Sequence, residues 1–173
     1  MSARPPIPFD FLPPVAPLTV SSDDVRDGER VPEAHVFNDW GMSGGNLSPH
    51  LRWSGAPEGT RSFAVTVYDP DAPTQGGFWH WLLWDLPADT TELPTGYGTA
   101  DAKPGVQGRN DFGTAAYGGS APPPGYPHRY IVAVHALGVE SLGLSPDTPA
   151  NVVGFNIVAN TLARGYIVPV YET

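Results

Sequence analysis

Proline and glycine interrupt this chain so often that it cannot be built from long helices. With 21 prolines and 20 glycines in 173 residues, nearly a quarter of the chain is one or the other, against an ordinary share of about an eighth. Proline removes a backbone donor and fixes φ, and glycine admits conformations closed to other residues. The pattern predicts short strands joined by shaped turns. A chain of this length buries roughly two-thirds of its unfolded surface as one domain. The prolines cluster in residues 1–17, at Pro5, Pro6, Pro8, Pro13, Pro14 and Pro17, with Phe9, Phe11 and Leu12 between them. This predicts an extended N-terminal arm over 1–17, without helix or ladder, before a single domain over 18–173. The arm's apolar residues suit packing on the body or on a second subunit, so a homodimer is one expected assembly.

Charge and composition exclude several classes. Nine basic against 18 acidic residues give a formal net charge of −9 and an isoelectric point near 4.7. Nonspecific binding to nucleic acid, or to an anionic membrane, requires concentrated Lys and Arg that this chain lacks. Without cysteine, thiol catalysis, disulfides and thiolate metal sites are excluded. No run of apolar residues is long enough to span a bilayer, and no basic-then-apolar leader opens the sequence. A cytoplasmic protein without stable membrane insertion is expected.

The stretch that organises the rest is Asp69-Pro70-Asp71-Ala72-Pro73, followed by Phe78-Trp79-His80-Trp81-Leu82-Leu83-Trp84. Residues 62–68 are β-branched and aromatic and read as a strand, which places both carboxylates at a strand end. Pro70 and Pro73 restrict themselves and the residues before them, so the segment is a rigid turn. Residues 78–86 form the next strand. Period-two alternation puts Phe78, His80, Leu82 and Trp84 on one face and Trp79, Trp81 and Leu83 on the other. Both faces are apolar, as in a buried central strand, where His80 requires a hydrogen-bonding partner.

A second informative run, Tyr117-Gly118-Gly119-Ser120-Ala121-Pro122-Pro123-Pro124-Gly125-Tyr126-Pro127-His128-Arg129-Tyr130, is a stiff loop feeding a strand over 130–137. His128 and Tyr130 lie two apart and share a side of an extended chain. His135 has the opposite parity, among Ile131, Ala133 and Leu137, and reads as a core histidine; His35 reads as a surface or packing one. Arg109, in the irregular segment 101–114, is either an anion anchor or a tie from that loop to an aspartate. Gly44-Gly45 lacks the Lys-Ser/Thr and helix that a phosphate loop needs. Residues 150–164 carry an approximate 3–4 apolar spacing, with Gly165 placed as a C-cap, and predict the one late helix. The sum is a mainly β domain of two packed antiparallel sheets.

Taken in order and spacing, the Asp-Pro-Asp-Ala-Pro turn, Trp79-His80-Trp81, Pro127-His128-Arg129-Tyr130, Asn46-Leu47-Ser48-Pro49 and Gly108-Arg109-Asn110-Asp111-Phe112-Gly113 resemble the phosphatidylethanolamine-binding protein family, in its bacterial branch, from about residue 18 to 171. The resemblance implies a Greek-key sandwich of two antiparallel sheets with one or two peripheral helices. It also implies an anion pocket lined by Asp69, His80, the loop from Gly119 through Ser120 and Pro122 to Pro123, His128 and Tyr130. Asp71 is assigned to backbone bonding within its turn, and Pro73, Arg109 and Asp111 are supporting residues. Two histidines and a tyrosine can donate to phosphate oxygens, while Asp69 orients and charges a histidine.

The expected ligand is therefore a small anion such as phosphate or phosphoethanolamine, bound without turnover, cofactor or metal. Two alternatives stand beside it. One is an inhibitor of a protein kinase or serine protease. The other is a hydrolase using Asp69, His80 and His128, against which counts the lack of a Gly-x-Ser-x-Gly elbow. The plain structural reading is an inert buried network that holds turns in place. Ser120-Ala121 stands where bacterial relatives usually carry Pro-Cys, His135 where an aromatic is common, and Asn160 where an acidic residue is frequent.

Overall fold

The computed structural model describes residues 4–173, so the first three residues of the expected arm lie outside the described residues. The elements are β1 (Ala16–Pro17), β2 (Thr19–Ser21), β3 (Leu51–Ser54), β4 (Ser62–Asp69), β5 (Phe78–Pro87), β6 (Glu92–Leu93), β7 (Val106–Gln107), β8 (His128–Arg129), β9 (Ile131–Leu137), α1 (Ala150–Asn160), β10 (Thr161–Ile167) and β11 (Val170–Tyr171). Short 3₁₀ turns occupy Pro8–Phe11 and Glu33–His35.

A six-stranded sheet runs β1-β10-β9-β4-β5-β7, a three-stranded sheet runs β2-β3-β6, and β8 pairs with β11. All these pairs are antiparallel except β1 with β10, which is parallel. The protein is mainly β, as expected. The arm does form a short ladder after all: Ala16 and Pro17 sit at the sheet edge, where proline's missing donor costs no internal bond. Its 3₁₀ turn places Phe9 against His135, Tyr166 and the Arg164 guanidinium, so the arm lies on its own chain.

The large sheet is covered on both faces, which is why β4, β5 and β9 are apolar throughout rather than alternating. Toward the small sheet, Phe63, Val65, Val67, Trp81, Leu83, Val132 and Val134 pack with Leu51 and Trp53. On the other face, Ala64, Leu82, Trp84 and Leu137 pack beneath Val153 and Ile157 of α1.

Two expectations are corrected. The helix ends at Asn160, and β10 begins at Thr161 and runs through Gly165. Gly165 is not a cap; it lies within β10, and it is glycine because a Cβ there would sit 2.2 Å from the Leu18 carbonyl oxygen. Strict alternation also fails in β5. Val67 pairs with Trp81 but Tyr68 pairs with Trp79, which leaves His80 as the extra residue of a bulge. Trp81 packs in the core between the sheets, and the His80 ring lies 5.1 Å from that of Tyr130 in the same core. Trp79 faces the opposite side with the α1 cluster. The bulge thus turns His80 and Trp81 to one side, against the expected grouping of His80 with Leu82 and Trp84.

Candidate functional site

The end of β4, the bulge of β5 and the start of β8 meet at one end of the large sheet. Asp69 terminates β4 because Pro70 cannot continue the ladder. It is buried, and its two oxygens do separate work. Oδ1 accepts the Asp71 amide at 2.7 Å and closes the turn; Oδ2 accepts from His128 Nδ1 at 2.7 Å. His128 is 1% exposed, and its other ring nitrogen, Nε2, is buried without a partner among the described residues. A carboxylate on one side of an imidazole fixes the tautomer, with the proton on Nδ1.

His80 is held differently. Its Nδ1 meets the carbonyls of Gly118 at 2.9 Å and Gly119 at 3.1 Å. A carbonyl only accepts, so Nδ1 carries the proton. Burial pushes the His80 pKa below the ordinary histidine value, opposed by the Asp69 charge and the two carbonyls. A neutral ring with its proton on Nδ1 leaves Nε2 as a bare acceptor. The expectation that both histidines donate is therefore revised for His80, whose Nε2 accepts; His128 Nε2 donates only when a second proton sits on the ring, since Asp69 already holds the one on Nδ1.

The two carbonyls are positioned from behind. Asn46, with φ 52°, accepts the Gly119 amide on Oδ1 at 2.8 Å. Gly119 is obligatory there, since a Cβ would lie 2.5 Å from the His35 carbonyl oxygen and the Phe37 nitrogen. Gly44 and Gly45 likewise serve packing, since added Cβ atoms would meet the Val36 and Ala34 carbonyl oxygens at 2.3 and 2.7 Å. His35 is a buried packing residue whose Nδ1 bonds the Leu47 carbonyl at 2.7 Å.

Asp69, His80 and His128 line a cavity of about 500 Å³ together with Pro73, Pro122 and Pro123. Ser120 and Tyr130 lie behind His80, lining a separate small space next to it, and Gly119 lines neither. The Tyr130 hydroxyl is buried without a well-aligned hydrogen bond among the described residues; burial raises its pKa, opposed by weak contacts to the Ser120 hydroxyl and the Ala121 backbone. Asp71 is corrected. Instead of serving its own turn, it accepts from the Arg129 amide at 2.9 Å and the guanidinium at 2.8 Å through both oxygens. Burial would raise its pKa, but the Arg129 hydrogen bonds and charge bring it below the usual carboxylate range.

Arg109 and Asp111 stand outside the cavity. The Arg109 guanidinium binds Asp147 and the Gly113 carbonyl, the loop tie that was the alternative to an anion anchor. Asp111 accepts the Trp79 amide at 2.7 Å. Trp40, Met42, Phe78, Phe112 and Thr173 line the cavity without having been singled out as site residues. The position of Phe78 on the His80 side of its strand and of Phe112 beside Asp111 were usable signals; nothing local pointed to Trp40 or Thr173.

A rigid acidic turn, a carboxylate-held histidine and a histidine at a β-bulge, gathered at one end of a two-layer sheet, define a class of small-ligand-binding proteins. The sequence matches the phosphatidylethanolamine-binding protein model over residues 21–172, and the chain belongs to that family. It is similar to UPF0098 protein YbhB of Escherichia coli, 48% identical over 158 residues, which cover 90% of this chain and all of that one. UPF0098 protein YbcL of the same organism is 47% identical over 167 residues, covering 94% of this chain and 91% of its own. The crystal structure of E. coli YbcL, described as a new member of the mammalian family, superposes with a TM-score of 0.88 and covers 91% of this chain and 99% of that one. A Chlamydia trachomatis homologue at 24% identity and TM-score 0.75 shares the fold. Family membership supports small-ligand binding. Among the described residues no helix is long and apolar enough to cross a membrane.

Proposed function

We propose that the protein binds a small phosphate-bearing anion of the lipid head-group type in the cavity between the acidic turn and the 119–123 loop, without turnover. The observation that carries this reading is His128: a ring 1% exposed, gripped by Asp69 at 2.7 Å, with Nε2 left unpartnered. A buried polar atom without a partner is costly in a protein that has no use for it. A phosphate oxygen supplies the missing partner.

The chemistry suits a monoanion better than a dianion. Asp69 brings a negative charge to the cavity, and among the described residues no Lys or Arg lines it. One phosphate oxygen accepts from His128 Nε2–H in a charge-assisted bond, while a P–OH or another ligand donor meets the bare Nε2 of His80. Ser120, the one serine close to His128 in the sequence, does not line this cavity, so the reading favours binding over nucleophilic chemistry.

Calorimetric titration of inorganic phosphate and phosphoethanolamine at pH 6 and pH 8 tests it. Both ligands are expected to bind, more tightly at pH 6 than at pH 8, because a phosphate oxygen on Nε2 needs a proton there in addition to the one Asp69 holds on Nδ1, so binding takes up a proton. His128→Ala is expected to abolish the heat. No heat from either ligand at either pH would sink the reading.

A further inference from the structure

The other face of the large sheet holds a second cavity, of about 150 Å³, enclosed by the sheet, α1 and the arm. Thr66 and Tyr68 of β4, Trp79 of β5 and His135 of β9 line it from the sheet, and Ile157 and Val158 line it from α1. Pro8 and Phe9 of the arm cover it, with the Phe9 ring edge-on to that of His135 at 5.8 Å. It shares no lining residue with the cavity at Asp69.

His135 brings the one polar demand. It is 2% exposed, and its Nε2 lies 2.9 Å from the Thr66 hydroxyl. Thr66 is buried and its hydroxyl has no other partner among the described residues, so it donates to Nε2, and the single proton of a neutral ring sits on Nδ1. Burial, helped by the Arg164 charge, keeps the ring neutral by lowering its pKa to about 3. Nδ1–H is therefore a buried donor without a partner, which is costly in a protein that makes no use of it. Of the buried side-chain nitrogens and oxygens in the lining, it alone is unpaired among the described residues. The Tyr68 hydroxyl donates to the Gly76 carbonyl, and Trp79 Nε1 donates to Asn151. A trapped water requires several polar partners and finds one unpaired group here.

We propose that this cavity binds a small neutral carbonyl compound of about one ring, its oxygen accepting from His135 Nδ1–H and its apolar body lying among Phe9, Trp79 and Ile157. A space of about 150 Å³ matches cavities that hold a single benzene ring. Among the described residues no charged side chain lines it, so a carboxylate would lose its hydration without a counter-charge. The cover can lift. Between Pro5 and Ala16 the arm hydrogen-bonds only within itself among the described residues, so Phe9 is held by side-chain contacts and its displacement opens a route in. The site is separate from the anion cavity and stands or falls without it.

Nitrogen NMR titration of the whole protein with acetophenone, ethylbenzene and benzoate tests it, on the natural chain, on His135→Phe and on Val158→Phe. In the natural chain acetophenone is expected to bind and to shift the His135 Nδ1 resonance, a contact read without any substitution, while benzoate leaves that resonance unmoved. In His135→Phe, which keeps a ring of similar size, acetophenone affinity is expected to fall about tenfold or more and that of ethylbenzene to stay within about threefold. Val158→Phe, which fills the cavity from α1, is expected to exclude both with the fold kept. An unmoved Nδ1 resonance with acetophenone overturns the inference. So does an equal loss of both ligands in a folded His135→Phe, acetophenone binding that survives Val158→Phe, or a larger Nδ1 shift with benzoate than with acetophenone.

Discussion

At the scale of single residues, the site depends on what each histidine does with its second nitrogen. His128 has a carboxylate behind it and His80 has two carbonyls, and only the carboxylate carries a full charge to balance a ring that takes up a second proton with its ligand. Asp69→Asn separates orientation from charge. The amide oxygen can still accept from Nδ1, but no carboxylate then balances a second proton on the ring. Only the charge-assisted donor is lost. Phosphate affinity at pH 6 is therefore expected to fall about tenfold and to lose its advantage over pH 8, as read by titration at both pH values. Retained pH dependence in this variant would mean that Asp69 is not what charges His128. Asp69, His80 and His128 were legible in the sequence because strand ends, proline turns and a lone histidine in an aromatic run are local features. Asp71 was not, because its partner Arg129 is 58 residues away and only the fold brings the two together.

At the scale of elements, the strands that the sequence marked most clearly are those buried on both faces, where apolar runs outlast any alternation. The helix boundary was misread because Gly165 resembles a C-cap locally, whereas its real constraint is the Leu18 backbone pressing on it from another strand. The bulge at His80 was invisible for a similar reason: an extra residue shows only against its partner strand. His135, placed in the core from its parity in β9, is buried, with Nε2 2.9 Å from the Thr66 hydroxyl. Burial, with the Arg164 charge beside it, lowers its pKa to about 3. The unfolded chain takes up a proton near the ordinary histidine value, and the folded chain does not until far lower pH. Between about pH 6.5 and 3 the unfolded state thus binds more protons, and this residue lowers stability as pH falls, by up to about 1.4 kcal/mol per pH unit. His135→Phe is expected to fold, since an aromatic fits the position, and to flatten the difference in unfolding free energy between pH 7 and pH 4 measured by urea titration. An unchanged slope would mean that the folded protein takes up a proton at His135 as readily as the unfolded chain does.

At the scale of the whole molecule, the two faces of the large sheet have separate tasks. One carries the small sheet and the candidate cavity at Asp69; the other carries α1 and the arm. The proline content that predicted an extended arm also explains how it holds its course across the sheet with few backbone bonds. Its grip comes from side chains: Phe9 on the His135 and Tyr166 rings and under the Arg164 guanidinium, and the Arg129 guanidinium reaching the Pro5 carbonyl. Phe9 is therefore part of what keeps His135 dry. Deleting residues 1–15, which stops short of β1, should cost about 1–3 kcal/mol from lost apolar burial. It should also let water reach His135, so that the truncated chain loses part of the acid sensitivity that His135→Phe removes. Combining the truncation with His135→Phe separates the two contributions, because the acid-dependent part is then already gone and only the burial loss remains. No described residue of the arm lines the cavity at Asp69, so phosphate affinity should stay within about twofold of the full chain. If the truncated chain keeps the full acid slope, the arm is not what shields His135. If it instead loses phosphate binding, the two faces are coupled through the Pro5–Arg129–Asp71 contacts that lead from the arm to the acidic turn.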